Sequence, residues 1–208
     1  MSTKLYLISP PKFNLDDFSN QLEIALATKK VPVFQLRMKD VSDQEIIVAA
    51  QKLQKICHKY QTNFILNDRL DLALKIGADG VHLGSDDGEI SVARKKAPKN
   101  FIIGSSCYDS KHRIMVACEE GTDYVSLGTF FPSNTKNSSG KPTLELLKWC
   151  TDFINVPVVA IGGINSDNCL DLIKNGADFL AVISYVWQHR NGADVGINSL
   201  MQTINNAK

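Results

Sequence analysis

Along this 208-residue chain the hydrophobic pattern switches repeatedly between two periods. Short runs alternate or stay apolar, as strands do. The longer stretches between them repeat every three or four residues, as helices do. The clearest alternation is Val33-Phe34-Gln35-Leu36-Arg37-Met38-Lys39. Phe34, Leu36 and Met38 point one way, and Gln35, Arg37 and Lys39 point the other. That predicts a strand with an amide, a guanidinium and an ammonium in one row. At the rise of an extended chain the row spans about 13 Å, enough for an extended anion such as a diphosphate.

The same pattern predicts further strands at 4–8, 64–66, 80–83, 101–104, 124–127, 156–161 and 179–183. Between them it predicts helices from Asn14 through Leu26, then over 42–60, 70–76, 90–97, 110–120, 143–153 and 166–175, with one last helix closing the chain. Asn14 reads as an N-cap, and Ser42 with Glu45 as a capping box. Gly77, Gly121 and Gly176 each end a helix and launch a strand, which predicts left-handed C-caps. A strand followed by a helix, eight times over with short connections, predicts a parallel sheet covered by helices. The expected architecture is α/β, a single (β/α)8 TIM barrel over residues 1–208. The alternative is a doubly wound open sheet, but no glycine fingerprint follows the first strand.

Composition narrows the partners. The formal net charge is +1, which argues against nucleic acid as a bulk partner and makes any anion binding local. No apolar run reaches a membrane span, and the first residues show no signal-peptide h-region. Cys57, Cys107, Cys118, Cys150 and Cys169 are odd in number and lack C-x-x-C spacing, which predicts free thiols in a reducing cytoplasm. His58, His82, His112 and His189 are too dispersed for a zinc cluster. The sequence leaves homo-oligomerisation open.

In a barrel of this kind the chemistry sits at the C-terminal ends of the strands. Arg37 and Lys39 follow the second strand, Asn67 and Asp68 the third, and Asp86 and Asp87 the fourth. Ser105, Ser106 and Cys107 follow the fifth. Ser133, Asn134, Thr135 and Lys136 follow the sixth, Gly162 and Gly163 the seventh, and Ser184 the eighth. Singly, each has a plain alternative: a turn, a cap, a tight loop or a solvated loop. His82 reads as a barrel histidine with its hydrogen bonds met. Together the others predict one polar rim. Asp68 and Asp87, from neighbouring strands, suit Mg²⁺, which is held by one or two carboxylates with substrate phosphate oxygens. Arg37, Lys39 and Lys136 supply charge to the same phosphates. Gly162, Gly163 and Ser184 occupy the usual barrel position for a monophosphate. Ser184 is expected across the barrel from Arg37.

The motifs QLRMK (35–39), ND (67–68), DGVHLGSDD (79–87), GSSCYDS (104–110), DYVSLGTFFPSNTK (123–136), VVAIGGI (158–164) and GADFLAVIS (176–184) resemble thiamine-phosphate synthases nearly end to end. The resemblance implies a (β/α)8 barrel that joins 4-amino-2-methyl-5-hydroxymethylpyrimidine diphosphate to 4-methyl-5-(2-hydroxyethyl)thiazole phosphate, releasing pyrophosphate by dissociation. It implies that Gln35, Arg37, Lys39, Asn67 and Lys136 contact the pyrimidine diphosphate, with Ser106 near the pyrimidine. Asp68 and Asp87 would hold Mg²⁺. Ser133, Thr135, Gly163, Ile183 and Ser184 would hold the thiazole phosphate. Arg37, Lys39, Lys136 and Ser106 are the expected catalytic set, and no protein nucleophile is needed. The chain departs from the pattern with Ser133 for a frequent Thr, Tyr108 for a frequent His, and Arg69, which also occurs in related thiazole tautomerases. A tautomerase, a non-catalytic precursor-binding barrel and a generic sugar-phosphate barrel are the competing expectations.

Overall fold

The computed structural model describes residues 3–84, 87–133 and 140–207. Its elements run β1 (Lys4–Ile8), α1 (Leu15–Ala27), β2 (Val33–Leu36), α2 (Asp43–Lys59), β3 (Asn63–Asn67), α3 (Leu70–Ile76), β4 (Gly80–Leu83), α4 (Ile90–Lys96), β5 (Ile102–Tyr108), α5 (Lys111–Glu119), β6 (Tyr124–Gly128), α6 (Leu144–Phe153), β7 (Val158–Ile161), α7 (Leu170–Lys174), β8 (Phe179–Val182), α8 (Ser184–Trp187) and α9 (Ala193–Asn206). The strands pair in chain order, all parallel, and β8 closes back onto β1. The result is a (β/α)8 barrel.

Two apolar layers follow from the strand alternation. Tyr6, Ile8, Tyr124, Val159 and Ala181 fill the barrel interior. Outward-facing residues such as Phe34, Leu36, Phe64, Leu66 and Ile103 pack against the helices. The alternation of β2 is therefore real, but its polar face looks into the barrel rather than to solvent. Gln35 is buried there, and its Nε2 donates to Asn67 Oδ1 at 2.7 Å.

Local chemistry sets the helix ends. Asn14 Oδ1 accepts from the N–H groups of Asp16 and Asp17. Ser42 and Glu45 form a capping box. Gly77, Gly121 and Gly176 all have positive φ, at 65°, 91° and 91°. Each is followed two residues later by an aspartate that locks the adjacent strand. Asp79 Oδ2 accepts from Phe64 N–H at 2.7 Å, Asp123 Oδ2 from Ile103 N–H at 2.7 Å, and Asp178 Oδ2 from Val158 N–H at 2.9 Å. The recurring Gly-x-Asp thus ends a helix and then fastens the N-terminal end of the strand that preceded it.

Several expected boundaries move. β2 ends at Leu36, so Arg37 and Lys39 lie just past the strand, and β7 starts at Val158 rather than at 156. β5 runs on to Tyr108, because Ser105 and Ser106 continue to pair with β6; the register slips before Tyr108, whose φ is 56°. α7 starts late, because Asn165 Oδ1 accepts from Asp167 and Asn168 N–H and holds that stretch as an Asx turn. The last helix is two, separated at Gly192 with φ 103°.

Candidate active site

The C-terminal mouth of the barrel opens into a cavity of about 1330 Å³. It collects, from successive elements, Gln35, Arg37 and Lys39, Asn67 and Asp68, His82 and Asp87, Ser106 and Tyr108, Ser133, Gly162 and Gly163, and Ile183 and Ser184. Thr135 and Lys136, with Asn134 and Asp86, lie outside the described residues. Apart from these, and from Ser105 and Cys107, which do not line the cavity, the candidate residues converge on one space.

Backbone placement comes first. Arg37 leaves β2 with its N–H on Ser9 Oγ at 2.9 Å, and Ser9 Oγ donates back to Arg37 O at 3.2 Å. Ser9 is fully buried at the end of β1, so it fixes where the guanidinium begins. Nothing in the sequence around Ser9 distinguishes it from a turn residue. Asp68 adopts φ 66°, a left-handed conformation that Asp tolerates better than most side chains. This turns it off the end of β3 toward Lys39, whose Nζ donates to Asp68 Oδ2. Gly84 N–H donates to Asp87 Oδ2 at 2.9 Å.

The two carboxylates repel. Partial burial, a contact with Asp68 and the Asp68 charge together raise the Asp87 pKa above the ordinary carboxylate value. One lysine serves two acids. The donor set fits a hard divalent cation: two carboxylates from adjacent strand ends, open to further oxygen ligands. Among the described residues no three acidic, histidine or cysteine groups converge, so substrate oxygens and water would complete such a shell.

Across the barrel the backbone is crowded. Gly162 and Gly163 have φ 109° and 61°. A Cβ on Gly162 would lie 1.9 Å from Thr129 Cγ2, and one on Gly163 would lie 2.4 Å from Pro132 O. The segment after β6 is stitched to this turn by Phe130 N–H to Ile161 O and Phe131 N–H to Gly162 O, both 3.1 Å. The glycines are needed for close approach, and the turn still faces the cavity beside Ile183 and Ser184.

Closure corrects one expectation. β8 adjoins β1 and β1 adjoins β2, so Ser184 lies two strands from Arg37, not across the barrel from it. The elements diametrically opposite β7 and β8 are β3 and β4, which carry Asp68 and Asp87. Arg37 stands between the two ends.

Two departures find places. Arg69 is held outside the cavity: its Nη1 and Nη2 bond the Asp43 carboxylate, and its Nε and Nη2 bond Asp71 at 3.0 and 2.7 Å. Tyr108 lines the cavity, with the Arg113 guanidinium 5.2 Å from its ring centre. Cys107 is buried behind the sheet, and burial pushes its thiol up to about 12, which is unsuited to nucleophilic work. The sequence reading missed Ser9 and the buried Tyr6 and Tyr124 below His82. It also missed Gln188, His189 and Arg190, which line the cavity after α8.

A parallel barrel with polar strand ends, cationic side chains and a carboxylate pair at one mouth defines a barrel enzyme that handles anionic substrates. A family model described as "Thiamine monophosphate synthase" matches residues 5–186. The chain is 44% identical over 189 residues to the thiamine-phosphate synthase of Rhodospirillum centenum, covering 91% of each chain. It is 46% identical to that of Erythrobacter litoralis over 89% of this chain and 88% of the relative. The solved thiamine phosphate pyrophosphorylase from Pyrococcus furiosus superposes with a TM-score of 0.84 at 33% identity, covering 98% of this chain and 96% of that one. The chain belongs to the thiamine-phosphate synthase family.

Proposed function

We propose that this chain is a transferase that joins the hydroxymethylpyrimidine diphosphate to the hydroxyethylthiazole phosphate, giving thiamine phosphate and pyrophosphate. One observation carries the reading. The Gln35–Arg37–Lys39 row and the Asp68–Asp87 pair share a cavity with Gly163 and Ser184, which gives room and opposite ends for two anions. Gln35 and Asn67, bonded to each other, orient the pyrimidine diphosphate. Arg37 and Lys39 hold its phosphates, and Ser106 meets the pyrimidine. Ser133, Gly163, Ile183 and Ser184 seat the thiazole phosphate; Thr135 and Lys136 are assigned to the two substrates by resemblance alone. Mg²⁺ held by Asp68 and Asp87 would supply positive charge to the diphosphate oxygens.

The barrier this site must lower is departure of pyrophosphate, which gathers negative charge as the bond to the pyrimidine methylene breaks. Fixed cationic donors aimed at that charge favour the transition state over the ground state. Binding the thiazole phosphate alongside places its ring nitrogen for capture of the methylene. Among the described residues no cysteine lines the cavity, and a dissociative path requires no protein nucleophile. Arg69, the residue shared with tautomerases, is bound to Asp43 and Asp71 outside the cavity, so it lends that reading no chemistry. All five cysteines are free thiols, and no described helix is long and apolar enough to cross a membrane. We place the protein in the cytoplasm as a single-domain barrel.

The test is direct. Purified protein with both precursors and Mg²⁺ is expected to yield equimolar thiamine phosphate and pyrophosphate. Absence of product with folded protein, or turnover unaffected by EDTA, would overturn the reading or its metal.

A further inference from the structure

Tyr6, Tyr124, His82 and Ser106 form one chain of hydrogen bonds from the middle of the barrel to its mouth. Tyr6 Oη lies 2.7 Å from Tyr124 Oη, Tyr124 Oη lies 3.0 Å from His82 Nδ1, and His82 Nε2 lies 2.9 Å from Ser106 Oγ. Tyr6 is 2% exposed and Tyr124 7%. Strand register builds the chain. His82 pairs with Gly104 and Gly104 with Tyr124 on three successive strands. A Cβ on Gly104 would fall 2.0 Å from Tyr124 Cζ, so glycine is what lets the phenol ring lie across β5. The ring then stacks beside the imidazole, with centroids 5.6 Å apart and planes at 21°.

Such a chain can run in two directions. In one, Tyr6 donates to Tyr124, Tyr124 to His82 Nδ1, and His82 Nε2–H to Ser106 Oγ. The Ser106 proton then points into the cavity. In the other every donor reverses, and the Tyr6 proton is left at the closed end. Among the described residues Tyr124 Oη is the hydrogen-bond partner of the Tyr6 hydroxyl. A buried donor without an acceptor is costly enough to bias the two directions by about tenfold or more. Burial raises the pKa of both phenols, so neither becomes a phenolate that could accept from both sides. The hydrogen positions thus follow from the closed end of the network.

We propose that Tyr6 and Tyr124 hold His82 with its proton on Nε2, and so fix Ser106 as a hydrogen-bond donor to the pyrimidine diphosphate. The substrate half of this statement rests on the synthase reading. Ser106 alone of the four would touch substrate. Its hydroxyl could neither rotate away to donate to His82 nor accept from substrate at equal cost, so it selects a lone pair on the pyrimidine moiety or its ester oxygen. Tyr6, Tyr124 and His82 are positioning residues.

The test reads the proton directly. In the full chain labelled with ¹⁵N-histidine, long-range ¹H–¹⁵N spectra distinguish a protonated from an unprotonated ring nitrogen. Replacing His58, His112 and His189 in turn assigns His82, since the chain has four histidines. The expected result is Nε2 protonated and Nδ1 not. Tyr6→Phe should keep that pattern, because the Tyr124 proton then closes the chain, and so should Ser106→Ala, because Tyr124 still donates to Nδ1. A protonated Nδ1 in the unaltered protein overturns the proposal whether or not the synthase reading stands. So does a proton on Nδ1 in Ser106→Ala, which would mean that the mouth rather than the closed end sets the direction. If Ser106→Ala does not fold, the other two spectra still decide. In the synthase assay Tyr124→Phe should lower kcat by about tenfold, with the thiazole phosphate KM held within about twofold. In a Ser106→Ala background the same change should have almost no further effect. A full tenfold loss there would show that Tyr124 does not act through Ser106.

Discussion

Burial and the facing Asp68 carboxylate raise the proton affinity of Asp87, so its charge is a local cost that a cation or substrate must offset. The sign follows from the direction of the shift. A carboxyl whose folded pKa is raised adds stability below its ordinary pKa and loses it as pH climbs through the raised value. Where both carboxyls are ionised, the pair therefore opposes folding in metal-free protein. Asp87→Asn keeps an acceptor for Gly84 N–H while removing the repulsion. It should raise metal-free stability by under about 1 kcal/mol, given the partial exposure of the site. It should also abolish stabilisation by Mg²⁺ with pyrophosphate. Thermal melts with and without these ligands make the comparison; an unchanged ligand response would remove Asp87 from the metal site. Arg69 makes the opposite case. Its bonds run to Asp43 and Asp71 on the helical layer, so Arg69→Ala should lower Tm slightly and leave both KM values and kcat as they were. A tenfold loss of kcat would mean that the side chain reaches the cavity during turnover.

At the scale of elements, local signals account for what the sequence revealed. Period two against period three to four, the Asn14 and Ser42 caps and the glycines ending helices are properties of a few adjacent residues, and each became the element expected. The failures also have local causes. Ser105 to Tyr108 is too polar to read as a strand, yet β6 supplies its pairing. Asn165 diverts the first turn of what looked like helix 166–175. What stayed hidden depends on residues far apart in the chain. Tyr6 and Tyr124 are 118 positions apart, and Ser9 meets Arg37 across 28. No periodicity marks such pairs. The Gly-x-Asp repeats were half legible: the glycines read as caps, but the aspartates' reach to Phe64, Ile103 and Val158 did not. Asp178→Ala removes one such lock, a carboxylate on the Val158 N–H. It should cost about 1–2 kcal/mol in denaturant melts while kcat at low temperature holds. A loss of kcat without loss of stability would instead tie the foot of the barrel to catalysis.

At the scale of the whole molecule, barrel closure decides which mutants can separate the two substrates. Linear order suggests that β2 and β8 are far apart, but closure leaves only β1 between them. Arg37 stands at an equal strand count from Asp87 and Ser184, so Arg37→Ala is expected to disturb both ends and cannot assign either. The cleaner pair is Asp68 with Ser184, three strands apart round the closed barrel. Asp68→Asn weakens the cation that neutralises a leaving group gaining charge. Loss of such a contact costs about 2–4 kcal/mol, or roughly 30- to 1,000-fold in the rate of the chemical step. The thiazole phosphate KM should scarcely move. Ser184→Ala removes a neutral hydroxyl from a phosphate that does not react and leaves the backbone N–H in place. That should cost about 1 kcal/mol, a several-fold rise in thiazole phosphate KM at nearly constant kcat. Two-substrate steady-state kinetics on the single and double variants measures both effects, and they should multiply, since the sites are three strands apart and share no partner. If Ser184→Ala instead raises only the pyrimidine diphosphate KM, or the double variant departs strongly from the product, the two anions are not seated at opposite ends of the mouth.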